Sequence, residues 1–221
     1  MSPVQILDVA LPSGGALLQG SLVIPPDALG IVAFAHGSGS SRFSSRNQRV
    51  SQFLNQARLA TLLFDLLTTE ENTRDLVTAE YRFDIPLLAR RLTDAVDWLS
   101  NETVSRSLAV GLFGASTGAA AALITAADRP HHVGAVVSRG GRPDLAGEAL
   151  GRVHAPTLLI VGGWDTDVIA LNEQAAQRLS CEHRTIIVPE ATHLFEEPGK
   201  LDAVSRLASA WFVQHLGAAA G

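Results

Sequence analysis

Short apolar runs separated by longer amphipathic stretches recur along the whole chain. Continuous runs of five or six apolar residues are typical of strands buried on both faces of a parallel sheet. We predict such strands at 31–35, 60–64, 108–112, 133–138, 157–161 and 184–188. Two earlier runs, 4–9 and 17–24, flank turn residues at 12–15 and predict a hairpin-like start.

The segments between the strands have helical periodicity. They predict helices at 46–57, 84–100, 168–179 and 201–216, and an Ala-rich run after residue 118 predicts one more. Residues 66–82 are polar and weakly periodic, so we expect a long loop there with at most one short helix. Alternating strands and helices predict an α/β fold with a mostly parallel central sheet and helices on both faces. Because no linker or repeat interrupts the pattern, we expect a single domain over residues 1–221 without a separate cap domain.

Composition narrows the class of protein. The 221 residues are 47% hydrophobic and 18% charged, which fits a globular enzyme, and the net charge of −5 without a basic cluster argues against a nucleic-acid partner. No apolar run approaches the ~20 residues of a membrane span, and the first residues lack the features of a secretory signal. The single cysteine, Cys181, excludes an internal disulfide. We therefore expect a cytoplasmic protein that acts on a small molecule, with no membrane partner; the oligomeric state stays open.

The most informative stretch is residues 107–128, where a serine stands between two glycines at a predicted strand-to-helix turn. The sequence Gly114-Ala115-Ser116-Thr117-Gly118 matches the G-x-S-x-G nucleophile elbow. We expect a Cβ at either glycine to collide with the neighbouring strand or helix, and Ser116 to have a strained backbone. The same five-residue pattern also arises by chance at such turns, so the interpretation depends on partner residues.

A serine hydroxyl is a weak nucleophile unless a base removes its proton, and histidine is the usual base because it is neutral near physiological pH. In the order Ser, acid, His, the candidate base must come late in the chain. His183 lies at the start of a predicted strand and His215 inside the last predicted helix. His193 lies on the loop after the final strand, which is where a base must stand. Taken alone, a histidine on such a loop is more often a solvated side chain than a catalytic base.

The candidate acid lies on the loop after strand 157–161. Asp165 follows that strand and Gly162-Gly163, which permit a tight turn, whereas Asp167 is a rival two residues later. Asp165 also occupies a position suited to capping the next helix. The order of the three residues and the loops that carry them nevertheless predict a catalytic triad of Ser116, His193 and Asp165.

The same strand ends carry further candidates. An acyl-transfer intermediate needs fixed donors for its oxyanion, and we expect the backbone N–H groups of Thr117 and of Ser38, or otherwise Gly37, to supply them. Arg139 and Arg142 are placed to hold a substrate carboxylate together, although ion pairing within the protein is the alternative use of each. Acyl transfer by a triad needs no cofactor. The adjacent histidines at 131–132 have no third ligand at metal spacing, so we expect no metal.

Four segments taken together carry a family resemblance: HGSGS at 36–40, GASTG at 114–118, GGWDTDV at 162–168 and ATHLF at 191–195. The chain resembles the α/β-hydrolase superfamily over nearly its whole length, and its compactness is similar to that of the dienelactone hydrolase branch. This resemblance implies the α/β-hydrolase fold and hydrolytic chemistry. The namesake enzymes of that branch use a cysteine nucleophile where this chain has Ser116, and their substrate arginines have no residue-by-residue match here. The resemblance therefore implies no lactone specificity.

The sequence predicts a serine hydrolase that cleaves a small carboxylic ester, lactone or thioester through an acyl-enzyme. Two alternatives from other classes stay open. An acyltransferase would use the same triad with an alcohol or amine in place of water. A ligand-binding or regulatory module would keep the fold with little turnover.

Overall fold

The computed structural model describes residues 3–217, and its eight strands form one sheet in the order β1-β2-β4-β3-β5-β6-β7-β8. The strands are β1 (Gln5–Ser13), β2 (Ala16–Ile24), β3 (Gly30–Ala35), β4 (Leu59–Phe64), β5 (Val110–Ala115), β6 (Val133–Arg139), β7 (Thr157–Gly162) and β8 (His183–Val188). The pairs β1–β2 and β2–β4 are antiparallel, and every pair from β4 to β8 is parallel. The predicted hairpin and mostly parallel sheet are confirmed.

Helices cover both faces of this sheet, as the sequence predicted. They are α1 (Ser45–Gln56), α2 (Thr69–Thr78), α3 (Ile85–Asn101), α4 (Thr117–Asp128), α5 (Thr166–Ala176) and α6 (Lys200–Leu216), with a 3₁₀ segment, Pro143–Arg152, before β7. One buried apolar cluster joins the sheet to α3 and α4, and a second joins it to α1 and α6. Within residues 3–217 none of the helices has both the length and the apolar composition that crossing a bilayer requires. The assignment of all 221 residues to one domain stays a prediction.

The boundaries of β5 differ from those predicted, and the difference bears on the site. The strand begins at Val110 and continues to Ala115, beyond the predicted end at residue 112. Its last residues pair on one side with β3, where Ala35 is opposite Gly114, and on the other with β6, where Arg139 is opposite Ala115. The sheet therefore holds the backbone up to the residue before Ser116.

The segment 66–82 contains a ten-residue helix, α2, where mostly loop was expected. The Thr68 hydroxyl accepts from the Glu71 N–H at 3.2 Å, and the Glu71 carboxylate accepts from the Thr68 N–H at 2.8 Å, which forms a capping box. Arg91 on α3 then donates two hydrogen bonds of 2.6 Å to Glu71. This ion pair fastens α2 to α3 beside the strand ends.

Candidate active site

Ser116 forms a sharp turn between β5 and α4. Its φ of 50° and ψ of −121° lie where residues other than glycine rarely occur. Backbone hydrogen bonds hold the turn: the Ser116 N–H donates to the Arg139 carbonyl at 3.3 Å, and the Ser116 carbonyl accepts from the Arg142 N–H at 3.0 Å. The Ser116 side chain makes no capping hydrogen bond to α4, which leaves the hydroxyl available for chemistry.

The two glycines of the elbow are required by close packing. A Cβ on Gly114 would lie 2.5 Å from the Cα of Ala119 in α4. A Cβ on Gly118 would lie 2.1 Å from the Ala35 carbonyl oxygen in β3. Both distances are far below a van der Waals contact, so the expected collisions with the helix and the strand are confirmed.

Replacing Gly118 with alanine is expected to lower the free energy of unfolding by about 1–3 kcal/mol or more, because β3 and α4 must separate to admit the methyl group. The measurement is urea-induced unfolding followed by circular dichroism. Gly151→Ala is the matched control, since its nearest contact would be the Arg178 carbonyl oxygen at an ordinary 3.9 Å. Equal stability of the two variants would contradict the packing argument.

His193 and Asp165 are in direct contact. The distance from His193 Nδ1 to Asp165 Oδ2 is 2.6 Å, a short charge-assisted hydrogen bond in which the ring N–H donates. Asp165 does occupy the N-cap position of α5, but its carboxylate makes no capping hydrogen bond to that helix. Asp167 lies in the first turn of α5, and no hydrogen bond joins it to His193 among residues 3–217.

The loop that carries His193 is fixed by hydrogen bonds to its neighbours. The Trp164 N–H, next to Asp165, donates to the Ala191 carbonyl at 3.0 Å. This hydrogen bond joins the loop that carries Asp165 to the loop that carries His193. The Thr192 N–H donates to both carboxylate oxygens of Glu197 at 3.1 Å, and this hydrogen bonding lowers the pKa of Glu197. Nothing in the sequence singles out Glu197 for this role, because a carboxylate on a polar loop has no distinctive local pattern.

Ser116 and His193 line one cavity of about 200 Å³ at the carboxyl ends of the strands. Ser38, one of the two expected oxyanion donors, lines it as well. Thr117, the other, is the first residue of α4, where backbone N–H groups have no acceptor within the helix. The remaining lining residues are Gly37, Ser40, Ser44, Arg46, Asn47, Ala115, Arg139 and Leu194.

His36 holds the loop that carries Ser38. Its Nδ1 lies 3.0 Å from the Gly37 carbonyl oxygen, and its Nε2 accepts from the Leu66 N–H at 3.0 Å. These partners fix the neutral tautomer, with the proton on Nδ1. Gly37 in turn lies against the elbow, since a Cβ there would be 3.1 Å from the Ser116 Cβ. His36 thus connects the loop beside the nucleophile to the end of β4, a role that the motif alone did not indicate.

The folded protein is expected to lose stability as the pH falls below about 6.5, and His36 is one cause. Burial lowers the pKa of His36, although the hydrogen bond to Gly37 and the charge of Asp65 oppose this shift. A proton on Nε2 would face the Leu66 N–H, so the unfolded chain takes up the proton first. The free energy of unfolding therefore falls with decreasing pH, by up to about 1.4 kcal/mol per pH unit for this one group.

Urea unfolding at about pH 7 and about pH 5.5 measures this contribution. His36→Asn should show a smaller loss between the two conditions than the parent protein. His183→Asn is the matched control because His183 is exposed. An unchanged pH dependence in His36→Asn would contradict the assignment.

The two arginines that were expected to act together have different environments. Arg142 donates from Nε and Nη2 to the Asp144 carboxylate at 2.9 and 2.7 Å, and it is not among the residues lining the cavity. Arg139 lines the cavity, is only 6% exposed, and has no hydrogen-bond partner for Nε or Nη1 among residues 3–217. The structure thus gives no Arg139–Arg142 clamp, because a carboxylate two residues away occupies Arg142.

Arg46 is a second arginine that lines the cavity, and it was not among the residues predicted from the sequence. It lies in the first turn of α1, and its buried Nε also lacks a partner within the described part of the chain. Burial and the nearby positive charge of Arg46 lower the pKa of Arg139 to about 10, so Arg139 is still cationic at neutral pH. One signal in the sequence could have identified Arg46. It is a basic residue at the N-terminus of a predicted helix, where the helix dipole favours acidic residues.

Both a protein-family model and solved structures match this chain over most of its length. The model of the dienelactone hydrolase family matches residues 23–213. The chain belongs to the dienelactone hydrolase family. A dienelactone hydrolase from Anabaena variabilis, known from a crystal structure, has 58% sequence identity and a TM-score of 0.95, with 97% of this chain and 99% of that chain covered.

More distant solved structures share the fold. A dienelactone hydrolase-like promiscuous phosphotriesterase from metagenomic libraries has a TM-score of 0.75 at 19% identity, covering 97% of this chain and 99% of that chain. Est1E from Butyrivibrio proteoclasticus has a TM-score of 0.76 at 13% identity, covering 95% and 98%. At such identities the likeness concerns the fold alone.

Two curated relatives from Mycobacterium tuberculosis, one from each of two strains, are named putative phosphoribosyl transferase. Each is 53% identical over 214 residues, which is 97% of this chain but 47% of the relative. The chain spans about half the length of these curated relatives. Their name therefore describes a protein of about twice this length.

Proposed function

We propose that this dienelactone hydrolase family member is a serine hydrolase that cleaves a small carboxylic ester, lactone or thioester through an acyl-enzyme on Ser116. The observation that carries the proposal is the 2.6 Å hydrogen bond from His193 to Asp165, made beside a cavity that His193 shares with Ser116. A carboxylate bonded to Nδ1 leaves Nε2 of the same ring free to accept the hydroxyl proton. The cavity volume of about 200 Å³ suits a small acyl group.

In the first half of the reaction, Ser116 Oγ attacks the substrate carbonyl carbon while His193 Nε2 takes the hydroxyl proton. Asp165 stabilises the imidazolium that forms. The oxyanion of the tetrahedral intermediate accepts hydrogen bonds from the N–H groups of Thr117 and Ser38, or of Gly37 in place of Ser38. Loss of one such donor raises the barrier by roughly 2.7–4 kcal/mol in comparable sites.

Collapse of the intermediate breaks the bond between the carbonyl carbon and the leaving group, which takes the proton from His193. A water molecule then attacks the acyl-enzyme, with His193 again accepting the proton. A second tetrahedral intermediate collapses, and Ser116 leaves with the proton returned by His193. The products are a carboxylic acid and an alcohol or thiol, or a single hydroxy acid when the substrate is a lactone, and the enzyme is regenerated.

The direct test is to trap the acyl-enzyme. The protein is mixed with 4-nitrophenyl butyrate, quenched in acid within the first turnovers, and digested for mass spectrometry. One butyryl group on the peptide containing Ser116 is the expected result. Continued turnover with acylation at another residue would contradict the proposal.

The same assay separates the alternatives. Alcohols and amines are added as acceptors, and the acylated acceptor is quantified against free butyrate. Predominant transfer would identify an acyltransferase in place of a hydrolase. Failure of Ser116 to react with a fluorophosphonate probe, together with no turnover, would favour a binding module.

A further inference from the structure

A loop at the end of β6 contacts both Ser116 and His193. Its first residue is Arg139, whose carbonyl accepts the Ser116 N–H at 3.3 Å, and its last is Arg142, whose N–H donates to the Ser116 carbonyl at 3.0 Å. The middle of the loop lies against the base, since a Cβ on Gly140 would be 3.0 Å from the His193 carbonyl oxygen and 3.5 Å from Nδ1 and Cε1 of the ring. This segment, which we call the β6 loop, therefore lies between the proposed nucleophile and the proposed base.

The β6 loop has no room to move without displacing its neighbours. A Cβ on Gly141 would lie 2.0 Å from the Ser138 Oγ and 2.5 Å from the Cβ of Ala119, which is in the first turn of α4. The Gly140 N–H donates to the Ile160 carbonyl in β7 at 2.7 Å. Because protein interiors are close-packed, a shift of this loop is transmitted to the elbow on one side and to the histidine loop on the other.

A buried amide on α5 holds the β6 loop in place. Asn172 is 0% exposed, and its Nδ2 donates to the Gly141 carbonyl at 3.0 Å and to the Val168 carbonyl at 2.8 Å. Both partners are acceptors, which fixes the orientation of the amide, because only its NH₂ group can donate to them. Helix α5 begins directly after Asp165, its N-cap residue. Asn172 thus joins the helix that starts at the proposed acid to the loop that contacts the other two members of the proposed triad.

Packing alone does not explain an asparagine at this position. The Asn172 Oδ1 is buried without a hydrogen-bond partner among residues 3–217, and burial of an unpaired amide oxygen costs free energy. The bond to Val168 stays within α5, so the bond to Gly141 is the one that connects the side chain to another part of the fold. Departures from full hydrogen bonding in a protein core are expected where they serve a functional site.

We propose that Asn172 is a positioning residue for the triad. Its hydrogen bond to Gly141 holds the β6 loop so that Ser116 and His193 keep the separation that proton transfer requires. The inference rests on the proposed function, because it gives a residue outside the cavity lining a role in the same triad. Transfer of the proton from Oγ to Nε2 needs a distance of about 2.6–3.2 Å between the two atoms. A misplacement of about 1 Å slows such a reaction on the order of 100-fold.

The variant Asn172→Ser separates the bond to the loop from the bond within the helix. A buried serine hydroxyl donates to the carbonyl four residues earlier, as Ser205 does to Leu201 at 2.9 Å, so the bond to Val168 is replaced and the bond to Gly141 is lost. We expect kcat per active site on 4-nitrophenyl butyrate to fall by roughly 10- to 100-fold, with KM within about twofold of the parent value. Asn172→Thr makes the same exchange with an added methyl group, and it replaces the serine variant if that variant does not fold.

Asn101→Ser is the matched control. The Asn101 Nδ2 donates to the Asp97 carbonyl at 2.8 Å, four residues earlier on α3, and the side chain is exposed. The same chemical change there leaves the triad supports untouched, so both kcat and KM should match those of the parent protein. A lower free energy of unfolding or a higher KM in the Asn172 variants, with kcat per active site unchanged, would assign Asn172 a structural role and overturn the proposal.

A labelling experiment separates failure of this inference from failure of the proposed function. The parent protein and the Asn172 variants react with a fluorophosphonate, and mass spectrometry follows the label on the peptide containing Ser116. Labelling that is roughly 10- to 100-fold slower in the variants supports the positioning role, because this step depends on activation of the serine by its base. Equal labelling rates would overturn the positioning role and leave the serine mechanism standing. Turnover by the parent without any label on Ser116 would contradict both.

Discussion

The variant Ser116→Ala is expected to lose on the order of 10⁴- to 10⁶-fold in kcat on 4-nitrophenyl butyrate, because it removes the hydroxyl proposed to form the acyl bond. The measurement is the initial rate of 4-nitrophenolate release at saturating ester. Residual activity above the uncatalysed rate is expected, since the proposed oxyanion donors and the cavity are retained.

The fold should survive this substitution. The Ser116 side chain makes no capping hydrogen bond to α4, and the backbone hydrogen bonds to Arg139 and Arg142 do not involve the hydroxyl. Circular dichroism and the free energy of unfolding should therefore match those of the parent protein. Ser180→Ala, which removes an exposed hydroxyl bonded to the Gly151 carbonyl, is the control and should leave kcat within about twofold. Full activity in Ser116→Ala would exclude the mechanism.

The sheet could be predicted because parallel strands buried on both faces appear in sequence as unbroken apolar runs. The elbow could also be predicted from the sequence. Its two glycines are required because a Cβ at either position would collide with Ala119 in the adjacent helix or with Ala35 in the adjacent strand. The end of β5 could not be predicted in this way. Gly114 and Ala115 carry no apolar signal, and they are strand residues only because they pair with β3 and β6.

Two features were predicted only as alternatives, although each had a local signal in the sequence. Helix α2 begins with Thr68 and has Glu71 three residues later, the capping-box spacing, but its polar composition concealed the helix. Arg142 has Asp144 two residues away, and this local ion pair competes with any substrate. Pairing within the protein was one of the two uses open to Arg142, and the structure shows that use.

The charged part of the cavity had no sequence signature that joins its members. Arg46 and Arg139 are far apart in the chain, and of the two only Arg139 was a candidate, because it lies at the end of a predicted strand. Only the tertiary structure brings them to one cavity, where Arg46 Nε and Arg139 Nε and Nη1 are buried without a hydrogen-bond partner among residues 3–217. His36 is similar, because its role depends on the Leu66 N–H at the end of another strand. The local sequence pattern predicts the strands and helices. The roles of Arg46, Arg139 and His36 depend instead on contacts between those strands and helices.

The second prediction with a large expected effect on kcat concerns which of two aspartates, Asp165 or Asp167, orients His193. We expect Asp165→Asn to lower kcat on 4-nitrophenyl butyrate by roughly 10³- to 10⁴-fold. The Asp165 carboxylate accepts the Nδ1 proton of His193 at 2.6 Å and so keeps Nε2 free to accept the serine proton. An asparagine amide in its place can donate to Nδ1, which moves the ring proton to Nε2 and blocks the base. The lost negative charge also leaves the imidazolium unstabilised.

Asp167→Asn is the matched control, since it makes the same chemical change two residues away on the first turn of α5. Its kcat should stay within about threefold of the parent, and both variants should unfold at similar urea concentrations because neither carboxylate caps the helix through its side chain. A larger loss in Asp167→Asn than in Asp165→Asn would transfer the orienting role to Asp167. It would also require the histidine loop to rearrange during turnover, because the hydrogen bonds that tie Trp164 to Ala191 and Thr192 to Glu197 hold His193 toward Asp165.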